Sequence, residues 1–144
     1  MTRAEGIISL TNDIKTTWGL TDPFEIARRF GVEVVFRDNA FSGFKAQTFK
    51  MSGYPAIISI NNAYDERSKK LLCAHELGHA LLHEGAVNHF AVTPQNAFSG
   101  VEYEANLFAV SLLYDELEEE PSIPVEHMNN YMLKSIIDYN LRME

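Results

Sequence analysis

One cysteine, Cys73, stands in a chain of 144 residues. It leaves no partner for an internal disulfide and excludes the secreted scaffolds that depend on such staples. No apolar run approaches the roughly 18 residues that a membrane span needs. The first residues, MTRAEGIISLTNDIK, are interrupted by polar side chains too early for a signal peptide. These absences point to the cytoplasm and away from a membrane. Basic clustering is missing as well. Lys and Arg number 12 against 20 Asp and Glu, for a net charge of −8, and the densest basic groups are the pairs Arg28–Arg29 and Lys69–Lys70. That balance argues against direct binding of nucleic acid. The acidic surface reads as a source of solubility. Internal repeats and low-complexity linkers are absent too.

What is present is an ordinary globular composition, 46% apolar and 22% charged. It suits one domain with a real core over residues 1–144. Its body is expected at about 21–120, with a C-terminal helix at about 124–142. In TDPFEIARRFGVEVVF, Thr21 or Asp22 caps a helix, Pro23 suits its first turn and Gly31 ends it. Val32–Phe36 then reads as a strand. Gly43–Met51 reads as a second strand with one solvated face, an edge strand by its mixed polarity. Pro55–Ile60 reads as a short buried strand. The short separations predict hairpin-like antiparallel pairing. From Tyr64 the period becomes helical, with Leu71, Leu72, His75, Leu77, Gly78, His79 and Leu82 recurring and Gly85 as the stop. Residues 86–100 read as a long polar loop, and Val101–Glu120 as a second amphipathic helix broken by Pro121. The expected class is α+β, a small, mostly antiparallel three-stranded sheet packed on the first long helix.

Inside that helix stands HELGH, His75 to His79. Residues i and i+4 share a helix face, so two imidazoles at that spacing can meet one zinc ion. The intervening Glu76 leans toward a water at the open position, whose pKa zinc lowers to roughly 7, and takes its proton during attack on a carbonyl. Burying two unpaired imidazoles and a carboxylate among Leu71, Leu72, Ala74, Leu77, Ala80, Leu81 and Leu82 would be costly, and a metal removes that cost. Gly78 lowers helix propensity by about 1 kcal/mol against alanine. A bare methylene there permits close approach by another backbone. A third ligand is required, and VEYEAN offers Glu102 and Glu104. Glu102 shares a face with Ala105, Asn106, Ala109 and Leu113, which turns inward, whereas Glu104 projects about 160° away. Glu102 is preferred, with Glu104 the alternative. Asn106 is placed to hydrogen-bond a ligating imidazole.

AHELGHALLH followed by a helix of the form ExEANxFAxxLL resembles the ImmA/IrrE family of zinc metallopeptidases, a gluzincin-like group. The resemblance runs from about Pro23 to Leu113. It implies one Zn2+ per chain on His75, His79 and Glu102, Glu76 as catalytic base, and a minimal zincin-like fold. It also implies site-specific cleavage of a helix-turn-helix repressor controlling mobile-element, phage or stress-response genes. An activating protein partner is a further expectation. Zincin-type peptidases bind extended peptides along a sheet edge, and Gly43–Met51 is the corresponding strand. Two departures stand out. The second helix continues as LLYDEL where relatives often have LLMP. The helix-turn-helix or sensor domain that some relatives add does not fit here.

The rival reading is a non-catalytic zinc-fold module that binds a repressor without turnover; the intact Glu76 speaks against it. Oxyanion or substrate contacts are sought among His83, His89, Tyr103 and Tyr64. His83 lies one turn past His79 and reads first as a structural residue near the helix end, with a place lining the cleft as the alternative. His127 has no motif and reads as surface. Cys73 reads as a small buried hydrophobe.

Overall fold

The computed structural model describes residues 1–38, 43–83, 100–118 and 122–144. Among these described residues five helices and three strands follow in chain order: α1 (Arg3–Thr17), α2 (Pro23–Arg29), β1 (Glu33–Arg37), β2 (Ala46–Phe49), β3 (Ile57–Asn61), α3 (Glu66–Leu82), α4 (Gly100–Leu112) and α5 (Asn130–Asn140). Short 3-10 turns lie at Tyr114–Glu116 and Val125–His127. The expected α+β class with three strands is what the chain forms. Among the described residues no helix is long and apolar enough to cross a membrane.

The sheet order is β1-β3-β2. β2 pairs antiparallel with β3, Ala46 opposite Ile60 and Phe49 opposite Ile57. β1 pairs with β3 in parallel, Glu33 beside Ile57 and Arg37 beside Asn61. The sheet is therefore mixed, and the antiparallel expectation fails for β1. The reason is the route of the chain: it leaves β1, lays down β2 beyond the place of β3, and returns to fill the middle. Parallel neighbours need a crossover of a dozen or more residues, and the segment from 38 to 56 supplies it. Among the described strands β2 lies at the edge, the position its mixed polarity predicts. The turn after it closes through Met51 and Tyr54, with Gly53 at φ +85°, a value that favours glycine.

α3 is the central element. Asp65 caps it by accepting from the Ser68 N–H, and Glu66 places acid in its first turn, where the helix dipole favours negative charge. It is buried on nearly every side, packed by α2, the sheet and α4. At its far end Lys50, just past β2, donates from Nζ to the carbonyls of Ala80 and His83, both at 2.8 Å. One ammonium thus satisfies two carbonyls at the end of the helix and ties β2 to it. The helix ends at Leu82; Gly85, the predicted stop, lies outside the described residues, as does the predicted loop up to residue 99.

α4 is buried from Ala105 to Leu112 and ends earlier than Glu120. Asp115, Glu116 and Glu118 gather negative charge at a helix end that is already negative, and a 3-10 turn takes over. The C-terminal helix is shorter than 124–142 because Asn129 caps it, accepting from the Met132 N–H at 2.9 Å. α1 has no counterpart among the expected elements. It opens with a capping box between Thr2 and Glu5 and buries Ile7 and Ile14 in the same cluster as Leu77, Phe108 and Leu133.

Candidate metal centre

α3 and α4 touch along Gly78. A Cβ at Gly78 would stand 3.0 Å from the Cα of Ala105 and 3.2 Å from the Cβ of Phe108. The missing side chain is what lets the two backbones approach. That approach brings Glu102, one turn before Ala105, over the histidine face of α3.

His79 Nε2 lies 2.8 Å from Glu102 Oε1, and His75 Nε2 lies 3.5 Å from Glu102 Oε2. The two imidazole rings stand nearly perpendicular, centroids 5.0 Å apart. One ligand atom from each of His75, His79 and Glu102 falls within 4.8 Å of the other two. Four-coordinate sites with bonds of about 2.0–2.2 Å hold their ligand atoms about 3.3–3.6 Å apart. The His75 separation lies in that range and the His79 separation about half an ångström below it, so the cluster is compatible with one metal ion. His79 is buried, while His75 and Glu102 are half-buried.

Glu76 sits beside this cluster. Thr48, on the buried face of β2, directs its hydroxyl at Glu76 Oε1 (2.8 Å) and at the Glu76 carbonyl (3.0 Å). The other carboxyl oxygen, Oε2, lies 3.7 Å from His75 Nε2. One oxygen is thus anchored to the sheet and the other faces the cluster.

The electrostatics follow from burial and neighbours. Burial pushes the Glu76 carboxyl above its ordinary value, and His75 and the Thr48 hydrogen bond only partly oppose this. Burial would push Glu102 the same way, but hydrogen bonds and charge from His75 and His79 hold it well below the usual carboxylate range. For His75 burial acts downward, yet Glu102, Glu76 and a hydrogen bond to Asn106 leave the imidazole above its ordinary value. A carboxylate ionised against two imidazoles is the arrangement a divalent cation would neutralise.

The family model of the IrrE N-terminal-like domain, peptidase M78, matches residues 27–124. The chain belongs to this family. A protein of Bacillus phage phi105 named "Uncharacterized immunity region protein 2" is 33% identical over 97 residues, which is 65% of this chain and 58% of that protein. The chain thus spans well under two thirds of that relative's length. No solved structure matches the chain. The M78 match takes in all of α3 and α4, and leaves out α1 and α5.

Around this M78 domain the remaining candidates separate. Glu104, the alternative ligand, is turned to the Arg3 guanidinium, with Nε to Oε2 at 3.0 Å, and to His83 Nε2 at 2.9 Å. Arg3 first, and His83 after it, hold the Glu104 carboxyl below its ordinary value. Asn106 meets His75 and donates from Nδ2 to Asn130 Oδ1 at 2.8 Å. Tyr103 packs against the hydrophobic cluster. Tyr64 is buried in that cluster, its backbone bridged to Met143. His127 is exposed. His89 lies outside the described residues. Cys73 is fully buried, and burial pushes its thiol far up, which makes it inert.

Sequence reasoning missed Thr48, Arg3 and Asn130 as neighbours of the site. A threonine on the buried face of a strand was the one local signal, since a hydroxyl placed there needs a partner.

Proposed function

We propose that this chain is a zinc-dependent endopeptidase making a site-specific cut in a protein substrate, a helix-turn-helix repressor of a mobile element, phage or stress response. The reading is carried by one observation: His75, His79 and Glu102 converge, and a carboxyl oxygen of Glu76 lies 3.7 Å from His75 Nε2. Two imidazoles and a glutamate form a known catalytic zinc set that leaves a coordination position open. Zinc held by these three residues would supply a Lewis acid for the scissile carbonyl and an acidified water.

The chain's own groups do the rest. Glu76 takes the proton of the attacking water on Oε2 while Thr48 keeps Oε1 in place. Burial strengthens the hold of that carboxyl on a proton, so the proton stays available for the leaving amine. β2 is flanked by β3 alone among the described strands, and an extended peptide would add along its other side by backbone hydrogen bonds. Membership of a peptidase family supports the hydrolytic reading. The name of the phage relative assigns that protein to an immunity region, which favours a repressor as substrate. Dependence on an activating protein would restrain such an enzyme in the cytoplasm.

The test uses the wild-type chain, Glu76→Gln and Glu102→Ala, with bound zinc measured and the neighbouring-gene repressor followed by intact mass. The expected result is about one zinc per chain in wild type and Glu76→Gln, little in Glu102→Ala, and a discrete cut by wild type alone. Zinc binding with an unaltered repressor, even beside cell extract carrying the activator, would favour the non-catalytic binding module instead. A chain that takes up no zinc would defeat the reading.

A further inference from the structure

We propose that Phe49 selects the substrate: an extended segment pairs with the backbone of Ala46 and Thr48 and lays an uncharged, apolar side chain against the Phe49 ring. This role rests on the peptidase reading above.

The phase of the sheet decides which backbone groups can pair outward. Asn61 donates to the Lys45 carbonyl at 2.9 Å, and the register sets Ala46 opposite Ile60, so Lys45 and Asn61 face each other as a hydrogen-bonded pair. Such pairs alternate along an antiparallel ladder. Gln47 and Phe49 therefore turn their N–H and C=O groups to β3. Ala46 and Thr48 turn theirs to the other side, where no described strand lies. Side chains alternate with the same period of two. Thr48 is buried and points to Glu76 on α3, so Phe49 points away from α3, and it is 42% exposed. A strand added beyond β2 would bond to Ala46 and Thr48, and its residue beside Phe49 would share the Phe49 face. In an antiparallel addition that is the non-hydrogen-bonded kind of pair, in which side chains come closest.

The edge is apolar. From Ala46 to Ala56 the one charged residue is Lys50, and its ammonium is engaged by the Ala80 and His83 carbonyls. Met51 and Tyr54, in the turn that follows, are 46% and 71% exposed. Edge strands are commonly guarded by charged side chains against stray pairing. This one carries no free charge, which suits an apolar segment and disfavours a charged residue beside Phe49.

Residue-by-residue amide exchange tests the register. The full-length, zinc-loaded Glu76→Gln chain is followed with and without the neighbouring-gene repressor. Exchange at Ala46 and Thr48 should slow at least about tenfold in the complex, while Gln47 and Phe49, already bonded to β3, change far less. Unchanged exchange at Ala46 and Thr48 in a complex that forms overturns the proposal. Protection that grows with protein concentration in the absence of repressor makes a second copy the occupant and also overturns it. Phe49→Ser tests the selectivity. It should weaken repressor binding about fivefold, the upper end for a cross-strand aromatic pair, and raise KM while kcat holds. Tyr131→Ser, at an 80% exposed aromatic on α5, should stay within twofold of wild type. Equal affinity of Phe49→Ser and wild type overturns the role of Phe49. The exchange measurement alters no residue of β2, so it remains decisive if Phe49→Ser fails to fold. A repressor that is neither bound nor cut overturns the peptidase reading itself, a failure distinct from an unprotected edge in a complex that forms.

Discussion

Replacing Gly78 with alanine tests whether the contact between α3 and α4 sets the metal site. In an isolated helix the change stabilises by about 1 kcal/mol. Here the new methyl would meet the Ala105 Cα at 3.0 Å, the Phe108 Cβ at 3.2 Å and the Ala105 carbonyl oxygen at 3.3 Å. Carbon atoms rest at about 3.5–4.0 Å, so the helices must part by about half an ångström. The nearest atom is main chain, and Ala105 and Phe108 are fully buried, so no rotamer change relieves the clash. Overpacking of this kind costs about 1–3 kcal/mol. Set against the propensity gain, the net loss is about 0–2 kcal/mol, a fall in Tm of up to about 6 °C for a chain of this size. The same displacement acts on the 2.8 Å approach of His79 to Glu102, because both proposed ligands flank the contact. Metal sites tolerate about 0.5 Å of error, and zinc affinity should fall about tenfold. Thermal unfolding of the metal-free chain and chelator competition read the two effects separately. A higher Tm with unchanged zinc affinity would refute the reasoning, since it would mean that helix propensity decides and that the helices have room.

Thr48→Val keeps shape and removes the hydroxyl that serves the buried Glu76 carboxyl. Urea unfolding should show a loss of about 1–3 kcal/mol, and an unchanged midpoint would count against the Thr48 anchor. Zinc at 100 times its dissociation constant should stabilise the wild type by about 2.7 kcal/mol; the gain should vanish on chelation and in Glu102→Ala, as followed by Tm. Asp65, the cap of α3, is held below its ordinary value by its hydrogen bonds to Ser68. Its charge therefore adds stability above about pH 4, the unfolded value, and that contribution is lost as pH falls through the lower folded value. The stability gap between wild type and Asp65→Asn, which retains a capping side chain, should shrink below about pH 4 in pH-dependent denaturation curves. A constant gap would remove Asp65 from the acid response.

Much of the site was legible because its parts are local. His75 and His79 share a face by period alone, and Glu102 separates from Glu104 by the turn of one helix. Gly78 inside an apolar helix marked the close approach that Ala105 now fills. The polarity of the strand Ala46–Phe49 matched its place at the edge of the described sheet. What was not legible is non-local. The parallel direction of β1 depends on which side of β3 the chain later lays β2, and no residue of Glu33–Arg37 encodes that. The helix α1 carried a readable capping box in Thr2–Glu5, but its buried face includes Thr11, whose hydroxyl is satisfied by Ser111 at 2.6 Å. A polar residue whose partner lies 100 residues away interrupts the apolar pattern that periodicity detects. Arg3 was hidden in the same way, since its partner Glu104 is 101 residues distant.

Those two separations also bear on how the chain comes to be folded during synthesis. α1 emerges from the ribosome about a hundred residues ahead of the helix it docks on. At about 5–20 residues per second, this leaves it waiting about 5–20 s. Throughout that interval Ile7 and Ile14, which end up in the core, are exposed to whatever else is nearby. Pairing across such a span is slow to find. Among the described helices the segment that carries Arg3 thus waits longest for the partner it docks on, and the nascent chain is open to chaperone capture or misassembly through this helix.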